Sequence, residues 1–259
     1  MPCRWPFGKL GYSHFGFSEN GAYQNAKALN ADLSAVEMMA LSHGHIDHTG
    51  GFKSLVAGIG KKGIQLVVHP AGFRKGRVVK ITDDFKIVMP ILERETIAAA
   101  GVELIETADP YPMLDGALYF LGEIPRKTEF EKGVASFRYQ EDGEEKWDAI
   151  NDDTSLVAHV RGKGLVVLSG CAHAGIVNTV NYAREITGID QVHAVMGGFH
   201  LTGKENAAMI EPTAKALKEI GPQYVIPTHC TGRNAGMRIQ AAMPDQYLLN
   251  MSGTRMVFT

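Results

Sequence analysis

Short apolar runs rich in β-branched residues alternate along the chain with stretches of helical periodicity. Residues 36–41, 64–68, 165–168, 192–196 and 224–226 each read as a buried strand. Every one of these runs ends in a loop carrying ligand-type residues. They are, in order, Ser-His-Gly-His, His69-Pro70, Ser-Gly-Cys-Ala-His, Gly-Gly-Phe-His and Pro-Thr-His-Cys. A further strand is predicted at 155–160.

Helical spacing follows several of the loops. In 175–186 it places Ile176, Val180 and Ala183 on one stripe, and in 206–220 it aligns Met209, Ile210, Ala214, Leu217 and Ile220. Residues 93–100, stopped by Gly101, and 233–243 are two more predicted helices. Near-continuous apolar strands alternating with helices indicate sheets covered by helices, an α/β chain. Segment 117–153 is more polar and less regular, and reads as a hairpin or an insertion with Asp142-Gly143 as its turn. With no internal repeat, low-complexity tract or linker, a single domain over 1–259 is expected.

Composition narrows the class. A chain that is 45% hydrophobic and 21% charged has the makings of an ordinary globular core. Its net charge of −2 argues against a broad nucleic-acid footprint. No apolar run approaches the roughly 20 residues needed to cross a bilayer. The first residues carry Arg4 and Lys9 without the apolar stretch of a secretory signal, so a cytoplasmic location is expected. Cys3, Cys171 and Cys230 are an odd, sparse set and not a disulfide framework.

The chemistry concentrates in His43-Gly-His45-Ile-Asp47-His48. In an extended loop leaving a strand, residues two apart point the same way, so His43, His45 and Asp47 converge and His48 turns toward a second position. Gly44, Gly50 and Gly51 permit the tight path. Imidazoles plus a carboxylate suit a borderline divalent ion: zinc, with iron or manganese also accepted, as one or two ions.

His-x-His-x-Asp-His followed by glycines resembles the signature of the metallo-β-lactamase superfamily. Other segments resemble one branch of it. They are Gly-Glu-Ile-Pro-Arg at 122–126, Asp152-Asp153, Leu-Ser-Gly-Cys-Ala-His-Ala-Gly-Ile-Val-Asn at 168–178, Gly-Gly-Phe-His-Leu at 197–201 and Pro-Thr-His-Cys-Thr-Gly at 227–232. That branch includes the synthase of 7,8-dihydropterin-6-methyl-4-(β-D-ribofuranosyl)aminobenzene 5′-phosphate and relatives known only as metal-dependent hydrolases. The resemblance implies a four-layer αββα sandwich. It also implies two metal positions, one held by His43, His45 and His173 and the other by Asp47, His48 and His229.

Two departures stand out. Many superfamily members carry a metal-bridging aspartate where this chain has Gly197-Gly-Phe-His200. An imidazole offers one lone pair to one metal, so His200 is expected to bind the second ion terminally or to donate a hydrogen bond to substrate. Near the N-terminus, Phe15-Gly-Phe-Ser18 stands where relatives end a strand hairpin in Phe-Asp-Thr-Gly, so that strand pair is expected to be reduced or replaced. His14 reads as a surface histidine or as a substitute for the missing aspartate. Cys171 and Cys230, each beside a histidine, read either as thiols near the metals or as small side chains filling space behind the loops.

A divalent ion with an open coordination position lowers the pKa of a bound water to about 7, and the resemblance gives Asp47 the roles of ligand and proton acceptor. The first expectation is a hydrolase acting on an ester or phosphoester of a small molecule. The alternative is a transferase joining a pterin methyl diphosphate to an aminobenzene ribosyl phosphate. A third class, a redox module working beside a flavin domain, lacks a flavodoxin-like segment in this sequence. Arg126 with Lys127, and Arg74 with Lys75, Arg77 and Lys80, are candidate phosphate clamps or solvated surface charges. Asp153, with Asp152, either orients substrate or caps a turn, and His69, at the end of a strand, reads as structural or as facing the site.

Overall fold

The computed structural model describes residues 10–13, 15–82 and 84–258; Cys3 and His14 lie outside them. In chain order the first strands are β1 Leu10–Ser13, β2 Met38–Leu41, β3 Gln65–Val68, β4 Arg77–Lys80, β5 Lys86–Val88 and β6 Glu103–Glu106. Then come β7 Tyr111–Met113, β8 Leu118–Phe120, β9 Phe137–Glu141 and β10 Glu144–Trp147. The last four are β11 Ser155–Val160, β12 Gly164–Ser169, β13 Val192–Gly198 and β14 Tyr224–Thr228. The helices are α1 Gly21–Ala28, α2 Ile46–Thr49, α3 Phe52–Ile59, α4 Arg94–Ala99, α5 Ile176–Thr187, α6 Ile210–Ile220 and α7 Arg233–Ala242. Among the described residues no helix is long and apolar enough to cross a membrane.

The chain packs as two compact units, each with its own apolar core. Unit 1 takes the described residues of Met1–Ala108 with Ala135–Asp152, and unit 2 takes Asp109–Val134 with those of Asp153–Thr259. The segment 117–153, read as a hairpin or an insertion, is divided between them, and its hairpin lies in unit 1.

In unit 1, β1, β2, β3 and β6 form a parallel sheet in the order β1-β2-β3-β6. β2 is buried at all four positions, as its unbroken apolar sequence requires of a parallel strand. Near the N-terminus, where a reduced or replaced strand pair was expected, β1 pairs with β2. α3, unpredicted from sequence, buries Phe52, Val56 and Ile59 and stops at Gly60, whose φ is 70°. These side chains join Phe15, Met39, Leu41, Leu66, Val68 and Ile97 in one core. A second, antiparallel sheet has the order β10-β9-β4-β5. Its hairpin turns at Asp142 and Gly143, both left-handed at φ 54° and 81°, as a two-residue hairpin loop of type I′ demands.

In unit 2, six strands lie in the order β14-β13-β12-β11-β8-β7. β12, β13 and β14 are parallel neighbours, whereas β11 runs antiparallel to β12 and β8. α5 buries the predicted stripe of Ile176, Val180 and Ala183. The helix predicted over 206–220 needs correction at its start: Ala207–Met209 is a 3-10 turn and the α-helix begins at Ile210. Register sets Ser169 beside Gly197 and Gly197 beside Pro227. The loops leaving the three parallel strands therefore emerge side by side at their carboxyl ends, where open α/β sheets present their sites.

Candidate metal centres

Unit 1 carries the first ligand set where β2 ends. His43 and His45 lie in extended backbone, but α2 begins directly after His45, so Asp47 and His48 sit on a helical turn. The convergence expected from an extended loop is reached by a different path, with ligand atoms of His43, His45 and Asp47 all within 4.8 Å of one another. His43, His45 and His48 are buried, whereas the Asp47 side chain is about one-third exposed, at 36%. Ser42 Oγ lies 2.9 Å from His48 Nδ1 and 3.3 Å from His43 Nδ1. That hydroxyl engages the Nδ1 side of both rings, so their Nε2 atoms are the ones that would hold a cation. Burial, and then the Arg77 charge, lower the His45 pKa to about 3. At neutral pH this imidazole is uncharged, the form that ligates a cation. Two imidazoles and a carboxylate so disposed fit a borderline divalent ion.

The loop is fixed from behind by charges that sequence reading missed. The Gly44 amide donates to Asp152 Oδ2 at 2.7 Å. Arg77, only 1% exposed, donates to Asp148 Oδ2 at 2.8 Å and to Asp152 through both terminal nitrogens. Burial raises the Asp152 carboxyl, but the Arg77 guanidinium overrides it and holds the group at about 2. Arg77 is therefore not a phosphate clamp or a solvated charge. It is the buried counter-ion of two carboxylates. Asp152, left open between a substrate and a turn role, anchors the ligand loop. His69 Nδ1 accepts from the Ala71 amide and caps the turn Pro70–Phe73.

Arg74 donates to Asp148 Oδ1 at 2.6 Å and lies 4.6 Å from the Tyr139 ring centroid. With Lys75, Arg94, Phe73 and Tyr139 it lines a cavity of about 370 Å³ within unit 1.

Unit 2 carries the second set. Cys171 and His173 follow β12, His200 follows β13, and His229 and Cys230 follow β14. The rings of His173 and His200 lie 4.0 Å apart between centroids. Ligand atoms of Cys171, His200 and Cys230 fall within 4.8 Å of one another. Hydrogen bonding with Cys171 and, against burial, with His200 holds the Cys230 thiol well below the ordinary range. His229 is exposed on a 3-10 turn.

Asp153 and Arg126 contact the His173 loop. Asp153 is buried and its Oδ2 accepts from the Ala174 amide at 2.9 Å. Arg126 is half-buried and donates to the His173 carbonyl at 3.3 Å. Lys127 forms an exposed ion pair with Glu185. Glu131 was not foreseen. Its carboxylate accepts from the Val177 and Asn178 amides at 3.0 and 2.8 Å, capping α5 directly after the loop. Nothing in the local sequence marks it.

No protein-family model matches the chain. Over 216 residues it is 36% identical to the 7,8-dihydropterin-6-methyl-4-(beta-D-ribofuranosyl)-aminobenzene-5'-phosphate synthase of Methanocaldococcus jannaschii, covering 82% of this chain and 71% of the relative. An uncharacterised protein of the same organism is 28% identical over 218 residues, with 82% and 75% covered. A solved metal-dependent hydrolase of the β-lactamase superfamily superposes with a TM-score of 0.81 at 22% identity, over 97% of this chain and 89% of its own. The α/β fold is thus that of the metallo-β-lactamases. The sequence similarity is more specific: this chain belongs to the family of the 7,8-dihydropterin-6-methyl-4-(beta-D-ribofuranosyl)-aminobenzene-5'-phosphate synthase.

Proposed function

We propose that the chain is a metal-dependent transferase that joins a pterin methyl group, carried as its diphosphate, to the amine of an aminobenzene ribosyl phosphate. The 36% identity to the synthase carries this reading. The proposed metal ligands are His43, His45, Asp47 and His48 in unit 1 and His173, His200 and His229 in unit 2. Zinc is the proposed ion. When bound, it supplies positive charge that stabilises a departing diphosphate or activates water.

In the transfer, the bond from the methyl carbon to the diphosphate oxygen breaks and a carbon–nitrogen bond forms. The amine proton goes to Asp47, whose partly exposed carboxylate is the accessible acceptor of its set. Arg74, Arg126, Asp153 and His200 are the proposed substrate-binding residues. Arg74 lines a cavity whose cations and aromatic rings suit a phosphorylated aromatic molecule. For Asp153 the bond to Ala174 makes placement of the His173 loop its contribution.

Hydrolysis is the second reading, favoured by the same Asp47 carboxylate, which would take a proton from water as readily as from an amine. Purified protein, the pterin methyl diphosphate and its aminobenzene partner separate the two. Diphosphate release that requires the partner supports transfer. Release at the same rate without it establishes hydrolysis, and no release in either case rejects both.

A further inference from the structure

We infer that Cys171, His200 and Cys230 form a thiolate-bearing site in unit 2 for a soft or borderline metal ion of the zinc class. The inference shares His200 with the proposed metal enzyme, gives its one ligating lone pair to this site, and otherwise stands on Cys171 and Cys230.

Three adjacent parallel strands deliver the ligands. Cys171 lies two residues beyond the end of β12, His200 two beyond β13, and Cys230 two beyond β14. Their ligand atoms all lie within 4.8 Å of one another, a spread that metal–sulfur and metal–nitrogen bonds of about 2.0–2.3 Å can span. Cys171 is 3% exposed, and the Cys230 thiol donates to the Cys171 carbonyl at 3.6 Å.

The backbone is bent to achieve this. Ala172, His200 and His229 are left-handed, at φ 56°, 42° and 51°. Each is a ligand or the immediate neighbour of one. Non-glycine residues hold such angles at some cost, and they gather at functional sites. Gly198 makes the closure sterically feasible. A Cβ there would come within 2.8 Å of Cys230 Sγ and 3.1 Å of Cys171 Cα, so any side chain would force the two cysteine loops apart.

Two thiolates and an imidazole prefer zinc, ferrous or cuprous ions to magnesium or calcium. Three protein ligands leave a tetrahedral ion one open position, the complement of catalytic zinc sites. Two cysteines packed only to fill space would not need a histidine within ligand distance of both sulfurs.

Cobalt(II) tests this on the full chain after metal is stripped with a chelator. A near-ultraviolet thiolate-to-cobalt charge-transfer band should appear on titration. It should weaken in Cys230→Ser, vanish in the Cys171→Ser/Cys230→Ser double variant and persist in His43→Ala/His45→Ala. Persistence there separates this site from the ligand set of unit 1. Cobalt binding to the wild-type chain without a thiolate band, or a band that survives the double cysteine variant, would overturn the inference. If the double variant does not fold, alkylation of the wild-type chain decides. Zinc should protect Cys171 and Cys230, located by peptide mapping, and equal labelling with and without zinc would reject the site.

Discussion

The Gly44 amide, between the ligand histidines His43 and His45, donates to the carboxylate of Asp152, a residue 108 positions further along the chain. Asp152 is in turn gripped by Arg77, and Arg77 also holds Asp148. The ligand loop of unit 1 is therefore set by a buried ion-pair network, which orients the imidazoles before any cation arrives.

Removing one partner of this network leaves an uncompensated buried charge. Arg77→Met should cost about 3–5 kcal/mol of stability, read as a fall in the urea midpoint. Asp152→Ala should also weaken metal binding by the His43 loop about 10- to 100-fold, measured by competition with a chromogenic chelator. The Arg77→Met/Asp152→Leu double variant should recover part of the stability, since both charges are then gone. Additive losses would mean that the pair is not coupled.

Stability of the metal-free chain should fall with pH in two stages. His45 is held neutral, its pKa lowered from 6.5 to about 3, so between those values the unfolded chain takes up a proton that the folded chain refuses. Stability is lost from pH 6.5 downward. Asp152 is lowered from 3.8 to about 2, so its contribution is complete above pH 3.8 and disappears as pH falls through 2. That second stage is on the order of 2 kcal/mol. Urea midpoints across pH should show His45→Ala flattening the upper stage and Asp152→Asn the lower.

Gly44→Ala should be destabilising although it adds one methyl group. A Cβ at this position overlaps the Gly72 carbonyl and comes within 3.1 Å of an Arg77 nitrogen. Relief requires moving the ligand loop or the turn at 70–73, at about 1–3 kcal/mol. A lower thermal midpoint together with weaker metal binding is expected; wild-type values for both would show that the loop has slack.

Glu131→Ala should remove the acceptor for two amides at the start of α5. The expected loss is about 1–2 kcal/mol, and Glu131→Gln, which keeps an acceptor but not the charge at the helix N-terminus, should lose less. Chemical denaturation of both variants measures the difference.

Much of this arrangement was legible in the sequence because short apolar runs mark parallel strands and glycine-flanked histidines mark their exits. The positions of β2, β3, β12, β13 and β14 follow from that, as does the gathering of His43, His45 and Asp47. α2 was not legible, since four residues are too few to show a period. α3 was missed although Phe52, Val56 and Ile59 carry the spacing. Arg77 looked like a surface cation because its partners lie 71 and 75 residues away. The approach of Cys230 to Cys171 spans 59 residues and depends on strand register, which local pattern does not encode.

The most direct test is metal content and diphosphate release measured on the same preparations of the wild-type chain and His45→Ala. Stoichiometric zinc and partner-dependent release are expected for the wild type, with metal reduced and release abolished in a variant that keeps its folded circular dichroism. Undiminished release from His45→Ala, or from wild-type chain stripped of metal, would contradict a metal-dependent enzyme centred on this loop.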